Sequence, residues 1–259
     1  MTKYLCLFLM SFLLYTCGST DVDSTDGEAT TPTDESTAAT SSNDGEGPED
    51  RMISEGWTAL FDGDDLSAWR GYNMEEVAPG WAAKDGELQF TPGDGNGGDL
   101  ITRERYLDFE FQLEYQLIEG GNSGIFYLVK EVEGLPIYFN APEYQLLDDE
   151  WWARERDETP IHFTSANYDL QAPEGVQLNP IGEWNTAKIV KRGNTIQHYH
   201  NGILTVEYEL DSPEWTAQYE ASKFKGFQEA DYAQTRIGNL GLQDHGEFVR
   251  FRNIYVKKL

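Results

Sequence analysis

A strict alternation of apolar and polar residues marks the middle of the chain. From Leu107 to Leu117 the sequence LDFEFQLEYQL alternates without a break. A period of two gives one set of side chains to each face of a β-strand and leaves a helix with no continuous apolar face. The segment is therefore predicted to be a strand that buries one face and turns the other, with Glu110, Gln112, Glu114 and Gln116, to solvent or to a polar cleft.

Tight turns separate several other short apolar runs. Asp85-Gly86 and Asn201-Gly202 each stand between two such runs, and these pairs are typical of two-residue β-hairpins. Gly193-Asn194 indicates a further turn. Only the stretch from Pro213 to Lys225 has moderate helical character. The pattern predicts an all-β fold, a sandwich or jelly roll with short helical connections.

The first 50 residues are predicted to lie outside this fold. Lys3 and the apolar run from Leu5 to Leu14 have the layout of a secretory leader, and LYTCG at 14–18 is similar to a bacterial lipoprotein cleavage site. Residues 1–17 would be a lipoprotein signal peptide with Cys17 as the lipidated residue; an ordinary secretory peptide is the alternative. Cleavage also removes Cys6, so the domain would contain no disulfide and no Cys nucleophile.

Residues 18–50 contain no Lys, Arg or aromatic residue. Such a segment cannot bury enough apolar surface to offset its ordering entropy, so it is predicted to be a disordered, acidic, Ser/Thr-rich tether. The expected location is a bacterial membrane, with the lipid-anchored protein facing the periplasm or the exterior. Gly18 after Cys17 favours the outer membrane.

Residues 51–259 are long enough for one β-rich domain with a sizeable core. The chain has 46 Asp and Glu against 19 Lys and Arg, and most of this excess remains when the tether is set aside. A strongly negative domain argues against nucleic acid and anionic membrane surfaces as partners. The simplest meaning of the charge is solubility, since cation binding would require particular residues. Nothing in the sequence indicates an oligomeric state.

Polar and aromatic residues cluster at the ends of strand-like runs, in EWN at 183–185, LQDHG at 242–246 and FRNI at 251–254. A rigid β scaffold displays functional groups at such positions, so these segments predict a site for a sugar-like ligand. Trp151-Trp152 lies in a charged stretch that is expected to be a loop. It is either a stacking platform for a pyranose ring or a lid that packs on the body.

Strand alternation also places Glu143 and Gln145 on one face, opposite Tyr144. A solvent-facing strand is the plain alternative. His198 and His200 have a spacing that suits a metal ion, but no third ligand is evident, and a solvated hairpin is favoured.

An ordered series of segments resembles the 3-keto-disaccharide hydrolase domain family from about Gly56 to Leu259. These segments are GWTALFDG at 56–63, GDLIT at 98–102, NSGIF at 122–126, EYQLLD at 143–148, EWN at 183–185, NG at 201–202, LQDHG at 242–246 and FRNI at 251–254. The resemblance implies a concanavalin A-like β-sandwich of two curved antiparallel sheets, and an enzyme that cleaves 3-keto-glycosides. Leu128 and the loop from Asp149 to Pro160 depart from the family pattern and are expected to affect which sugar is accepted.

The chemistry of this family would require a base near C2 of the sugar, a donor or cation for the enolate oxygen, and an acid for the leaving oxygen. Glu143 and His245 are expected to be the base and the acid, in either order. The residues expected to bind or orient the substrate are Asn122, Gln145, Trp151, Trp184, Asn185, Gln243 and Arg252. A divalent cation such as Ca²⁺, held by Asp148 and Asp244, would replace one of the donors.

Two other functions stay open at this stage. Direct glycoside hydrolysis would use two carboxylates across the scissile bond, with Glu143 and Asp148 as one pair. A non-catalytic carbohydrate-binding module would have the same fold.

Overall fold

The computed structural model describes residues 52–93, 97–227 and 231–259. The predicted signal peptide, Cys17 and the tether of residues 18–50 lie outside the described residues. Within the described ranges, no helix is long and apolar enough to cross a membrane.

Short strands make up most of the described structure. The strands are β1 (Thr58–Phe61), β2 (Trp69–Gly71), β3 (Trp81–Lys84), β4 (Glu87–Phe90), β5 (Leu100–Thr102), β6 (Phe109–Leu117), β7 (Asn122–Val129), β8 (Glu143–Leu147), β9 (Asn185–Arg192), β10 (Thr195–His200), β11 (Ile203–Glu209), β12 (Asn239–Leu242) and β13 (Val249–Lys258). Helices α1 (Asp149–Arg156) and α2 (Pro213–Ala221) connect strands, as do 3-10 helices at Ile137–Phe139, Pro160–His162 and Lys223–Gly226.

The strands form two antiparallel sheets that pack face to face, which confirms the predicted β-sandwich. The larger sheet has the order β11-β10-β9-β6-β13-β4-β3, with β1 paired to β13, and the smaller has the order β2-β5-β12-β7-β8. The alternating segment is confirmed as β6, which lies between β9 and β13. Its buried residues Phe111 and Leu113 enter the core between the sheets, while Glu110 and Glu114 lie on the outer face.

The structure contains the two-residue turns that were predicted at Asp85-Gly86 and Asn201-Gly202. Asp85 and Gly86 have φ values of 56° and 77°, and Asn201 and Gly202 have φ values of 46° and 81°. Two successive residues with positive φ form the type I′ turn, whose twist matches that of paired strands. The predicted hairpins β3–β4 and β10–β11 are thus confirmed.

The stretch with Trp151 and Trp152 is helix α1, so the predicted loop is wrong. The Asp148 side chain caps this helix by accepting a hydrogen bond from the backbone N–H of Trp151. Acidic residues occupy its first turn and Arg154 and Arg156 its last turn, which complements the helix dipole. Charge placement, and not an apolar stripe, accounts for this short helix.

His198 and His200 lie in the core, and the prediction of a solvated hairpin is wrong. His198 Nε2 is 2.9 Å from the Tyr127 hydroxyl, and His200 Nε2 is 2.8 Å from the Tyr115 hydroxyl. Burial lowers the pKa of both histidines to about 4, so they are neutral at physiological pH. They are polar links within the sandwich and do not form a metal site.

A second apolar cluster covers the outer face of the smaller sheet. It consists of Tyr72, Ile101, Phe126, Val129, Ile137 and Ala141. The 3-10 helix at Ile137–Phe139 contributes Ile137 and covers β7 and β12 from outside. Because this face is covered, every residue of β7 and β8 is buried, including the polar ones. This apolar cluster shields the outer face of the smaller sheet, which would otherwise be in contact with water.

Candidate active site

A cavity of about 280 Å³ lies against the outer face of the smaller sheet. Its lining residues are Asn122, Tyr138, Glu143, Gln145, Tyr168, Lys223, Phe224, Gln243 and His245. Five of the predicted site residues, Asn122, Glu143, Gln145, Gln243 and His245, therefore share one cavity. Its volume lies just below the range of roughly 300–1,000 Å³ that is usual for small-molecule pockets.

Strand alternation brings these side chains to the same face. In β8, Tyr144 points into the core between the sheets, so Glu143 and Gln145 point to the outer face. Antiparallel pairing with β7 places Gly124 opposite Gln145 and Phe126 opposite Glu143. The predicted E-x-Q geometry is correct, but the face is enclosed and not solvent-exposed.

Gly124 provides the space that the Glu143 side chain occupies. A Cβ atom on Gly124 would overlap Glu143 Oε1 and would lie 2.9 Å from Glu143 Cγ. The φ angle of Gly124 is not in the left-handed region, so the backbone itself does not demand glycine there. The requirement comes from the neighbouring carboxyl group.

The Glu143 carboxyl group is buried and unpaired. Glu143 is 4% exposed, and its side chain has no hydrogen-bond partner among the described residues. Burial raises the pKa of Glu143 to about 8; the Lys223 ammonium opposes this shift and the Asp99 carboxylate adds to it. Loss of hydration disfavours the charged form, so Glu143 is mainly protonated at neutral pH and can donate a proton.

His245 is oriented by a carboxylate on one side and an amide on the other. Its Nδ1 is 2.8 Å from Glu247 Oε2, and its Nε2 is 3.3 Å from Asn122 Nδ2. A carboxylate only accepts, so Nδ1 carries the proton, and Nε2 of the neutral ring then accepts from the Asn122 amide. This arrangement leaves the basic nitrogen on the cavity side, as a general base requires.

Two amide oxygens in the cavity wall lack partners. Asn122 Oδ1 and Gln243 Oε1 are buried and accept no hydrogen bond from the described residues. Buried polar atoms in folded proteins are nearly always paired, so these two acceptors are expected to gain a donor that the described residues do not supply. Water and sugar hydroxyl groups are both suitable donors.

Four lining residues and one nearby acid were not singled out from the sequence. Tyr138, Tyr168, Lys223 and Phe224 come from 3-10 helices and a loop that no periodic pattern places at β8. Asp99 is not a lining residue, and its carboxylate accepts from the backbone N–H of Asp244 at 3.0 Å. Burial raises the pKa of Asp99 to about 7, against the lowering effect of the Asp244 N–H. In the sequence, Asp99 was marked only by its place in the GDLIT segment at 98–102.

Trp184, Asn185 and Arg252 do not line the cavity, and their predicted role beside Glu143 is wrong. Arg252 lies on the outer face of the larger sheet, where its Nε donates to Glu114 Oε2 at 2.7 Å and its guanidinium lies 4.1 Å from the Trp184 ring. Asn185 Oδ1 accepts from Asn179 N and Asn201 Nδ2, both at 2.9 Å. The alternation of β13 turns Phe251 to the core and Arg252 away from the smaller sheet.

Trp151 also lies outside the cavity lining. Its ring packs on Gly120, where an added Cβ would be 3.3 Å from the indole. The neighbouring Trp152 donates from Nε1 to the Gly120 carbonyl at 3.1 Å, and its ring centroid is 6.0 Å from that of His245. Trp152, and not Trp151, is therefore the indole that supports the site.

Leu128 is fully buried in the core between the sheets. The expectation that this residue affects the accepted sugar is therefore wrong, because its side chain faces away from the cavity.

Asp148 and Asp244, the predicted metal ligands, cap backbone turns. Asp148 accepts from the N–H groups of Trp151 and Gly120, at 3.2 Å and 2.9 Å. Asp244 accepts from the N–H groups of Gly98 and Gly246, at 2.8 Å and 2.9 Å. No group of three or more His, Cys, Asp or Glu suited to a metal ion occurs in the described part of the chain. The donor set around these two residues therefore does not support the predicted cation site.

Comparison with known proteins adds a family context to this geometry. Residues 56–257 match the family described as a 3-keto-α-glucoside-1,2-lyase-like domain. A 3-keto-disaccharide hydrolase of Bacteroides thetaiotaomicron is 36% identical over 229 residues, which cover 79% of this chain and 79% of that protein.

Solved structures of Parabacteroides distasonis proteins, described as candidate glycosyl hydrolases, have a similar fold. One superposes with a TM-score of 0.74 at 30% identity and covers 81% of this chain and 96% of its own. Another has a TM-score of 0.55 at 25% identity, over 78% of this chain and 84% of its own.

Replacement of Gly124 by Ala is expected to displace the Glu143 carboxyl group, because the new methyl group occupies its position. The carboxyl group would move toward water, and its pKa would fall from about 8 toward the ordinary value of 4.5. NMR titration of the ¹³C-labelled Glu side chains measures this shift. Gly93→Ala is the matched control, since an added Cβ there meets nothing within 4 Å. An unchanged Glu143 titration in Gly124→Ala would contradict the packing argument.

Proposed function

The chain belongs to the 3-keto-α-glucoside-1,2-lyase-like family, and from this membership we propose that it cleaves 3-keto-glycosides, including 3-keto-disaccharides, by elimination followed by hydration. The observation that carries the proposal is the presence of a protonated carboxyl group and an oriented imidazole in one cavity, Glu143 and His245. The similarity to the 3-keto-disaccharide hydrolase of Bacteroides thetaiotaomicron supports the substrate class.

His245 acts as the base. A ketone at C3 acidifies the proton on C2, and Nε2 of His245 removes that proton as the electron pair moves toward the C3 oxygen. Glu247 holds the ring by its Nδ1–H and stabilises the imidazolium that forms. The Asn122 amide, which contacts Nε2, is expected to move its hydrogen bond to the sugar.

Glu143 acts as the acid. The enolate expels the C1 oxygen with its electron pair, a C1–C2 double bond forms, and Glu143 gives its proton to the leaving oxygen. Hydration reverses the two roles, because water adds to C1 as Glu143 takes a proton and His245 returns one to C2. The sum of the two steps is hydrolysis of the glycosidic bond, and both groups regain their starting protonation states.

The other two functions have less support from the geometry. Two-carboxylate hydrolysis by Glu143 and Asp148 requires both acids at the bond, but Asp148 is outside the cavity lining and caps α1. A binding module has no need for an unpaired buried acid whose pKa is raised to about 8, since such a group costs stability.

We also propose that the protein is a lipoprotein, anchored through Cys17 and held away from the membrane by residues 18–50. The leader and the cleavage-site pattern in the sequence support this location. In a bacterial host, Cys17→Ala is expected to move the protein from the detergent phase to the aqueous phase in phase partitioning. Equal partitioning of both proteins would contradict the anchor.

The purified domain is expected to cleave a 3-keto-disaccharide and to leave the unoxidised disaccharide intact, because only the ketone acidifies the C2 proton. Product release is measured by chromatography for both sugars. Cleavage of the ordinary disaccharide at a comparable rate would favour the two-carboxylate mechanism. Binding of the keto sugar without turnover would favour the binding module.

Base and acid can be separated with a 3-keto sugar that has no leaving group at C1. In D₂O the wild type should exchange the C2 hydrogen of this analogue for deuterium, and His245→Ala should lose the exchange. Glu143→Gln should retain exchange but should slow cleavage of the true substrate about 10²- to 10⁴-fold, as expected for loss of a general acid.

Glu133→Gln removes an exposed carboxylate outside the cavity and should alter neither reaction. If Glu143→Gln loses exchange while His245→Ala keeps it, the two roles are reversed.

A further inference from the structure

We propose that the ammonium group of Lys223 binds the C3 oxygen of the substrate and stabilises the negative charge that develops there as the C2 proton leaves. This inference rests on the proposed function and adds the residue that holds the enolate. Proton removal by His245 leaves an electron pair on the C3 oxygen, and the reaction requires a positive group or strong donors at that atom.

Among the described residues that line the cavity, Lys223 contributes the one side chain with an ammonium group. The other polar lining groups are amides, tyrosine hydroxyls, Glu143 and His245. Within the described residues Lys223 forms no ion pair, whereas Lys225 on the same 3-10 helix pairs with Glu220. An ammonium group without a carboxylate partner remains available to a negatively charged oxygen.

The position of Lys223 is held at its backbone and at its side chain. Its backbone N–H donates to Asp169 Oδ2 at 2.7 Å, and its Nζ lies 4.2 Å from the centroid of the Tyr168 ring. The face of an aromatic ring attracts a cation without neutralising it, so the ammonium keeps its full charge. Tyr168 itself lines the cavity, so this contact keeps Nζ at the cavity wall.

His162 anchors the residues that hold Lys223. Its Nδ1 is 2.6 Å from Glu158 Oε1 and its Nε2 is 2.7 Å from Asp169 Oδ1. The ring therefore bridges the two carboxyl groups of Glu158 and Asp169. The ring also stacks on Tyr168, with centroids 4.4 Å apart. His162 therefore contacts both Asp169 and Tyr168, the two residues that hold Lys223.

Lys223 also acts on the acid of the reaction. Its positive charge lowers the pKa of Glu143, against the larger effect of burial. Removal of the charge should therefore raise the pKa of Glu143 above its present value of about 8. Since Glu143 must be protonated to act as an acid, the alkaline limb of the pH–rate profile should move to higher pH.

The test compares Lys223→Met with Lys225→Met and Lys223→Arg in cleavage of a 3-keto-disaccharide. Lys223→Met should lower kcat about 10²- to 10³-fold, the effect of losing one oxyanion donor, with a smaller change in KM. C2 exchange in the analogue without a leaving group should fall by a similar factor, and the alkaline limb should move up. Lys223→Arg should retain part of the rate, and Lys225→Met should match the wild type.

Three outcomes would overturn the inference. If the wild type is active and Lys223→Met keeps its kcat and exchange rate, Lys223 does not hold the enolate, and the proposed function stands without it. If Lys223→Met loses activity only through a lower thermal unfolding temperature or a higher KM, with an unmoved alkaline limb, its role is structural. If the wild type does not cleave the keto sugar, the proposed function fails and this inference fails with it.

Discussion

The burial of the Glu143 carboxyl group is the constraint on which the site depends. A carboxylate loses much of its hydration when it is buried, and within the described part of the chain no hydrogen bond to the Glu143 carboxyl group replaces what is lost. The group therefore holds its proton, with a pKa raised to about 8. An ordinary glutamate on a solvated strand would be ionised at neutral pH and could not act as an acid.

Several parts of the fold make this burial possible. The backbone of Gly124 leaves room for the side chain, and a second apolar cluster covers the outer face of the smaller sheet. Most sandwiches bury the space between their sheets and expose the outer faces to water. Here the outer face of β7 and β8 is enclosed as well, which turns the polar side of a strand into a cavity wall.

The charged residues at the cavity have different roles. Glu247 orients His245 so that a basic nitrogen faces the cavity, while Lys223 brings a positive charge from the 3-10 helix beside α2. The unpaired oxygens of Asn122 and Gln243 remain for hydroxyl groups. An acid, a base and a cation thus lie around a volume of about 280 Å³, which matches the groups that the proposed elimination would use.

The sequence by itself determined the β-sandwich, its hairpins and the polar face of β8, because alternation and Asn-Gly or Asp-Gly turns act over a few residues. The ordered motifs also pointed to Asn122, Glu143, Gln145, Gln243 and His245. The sequence was misleading for Arg252 and Trp184, which have the same polar and aromatic character but lie on the outer face of the larger sheet.

Only the tertiary structure decided which strand ends meet. It placed Lys223, which lies 80 residues after Glu143 in the chain, at the same cavity, and it buried His198 and His200 in the core. Strand periodicity specifies which side chains share a face of the sheet. Contacts between distant segments of the chain then decide which of the two faces is buried. For that reason the chemistry of Glu143 follows from its surroundings and not from its local sequence.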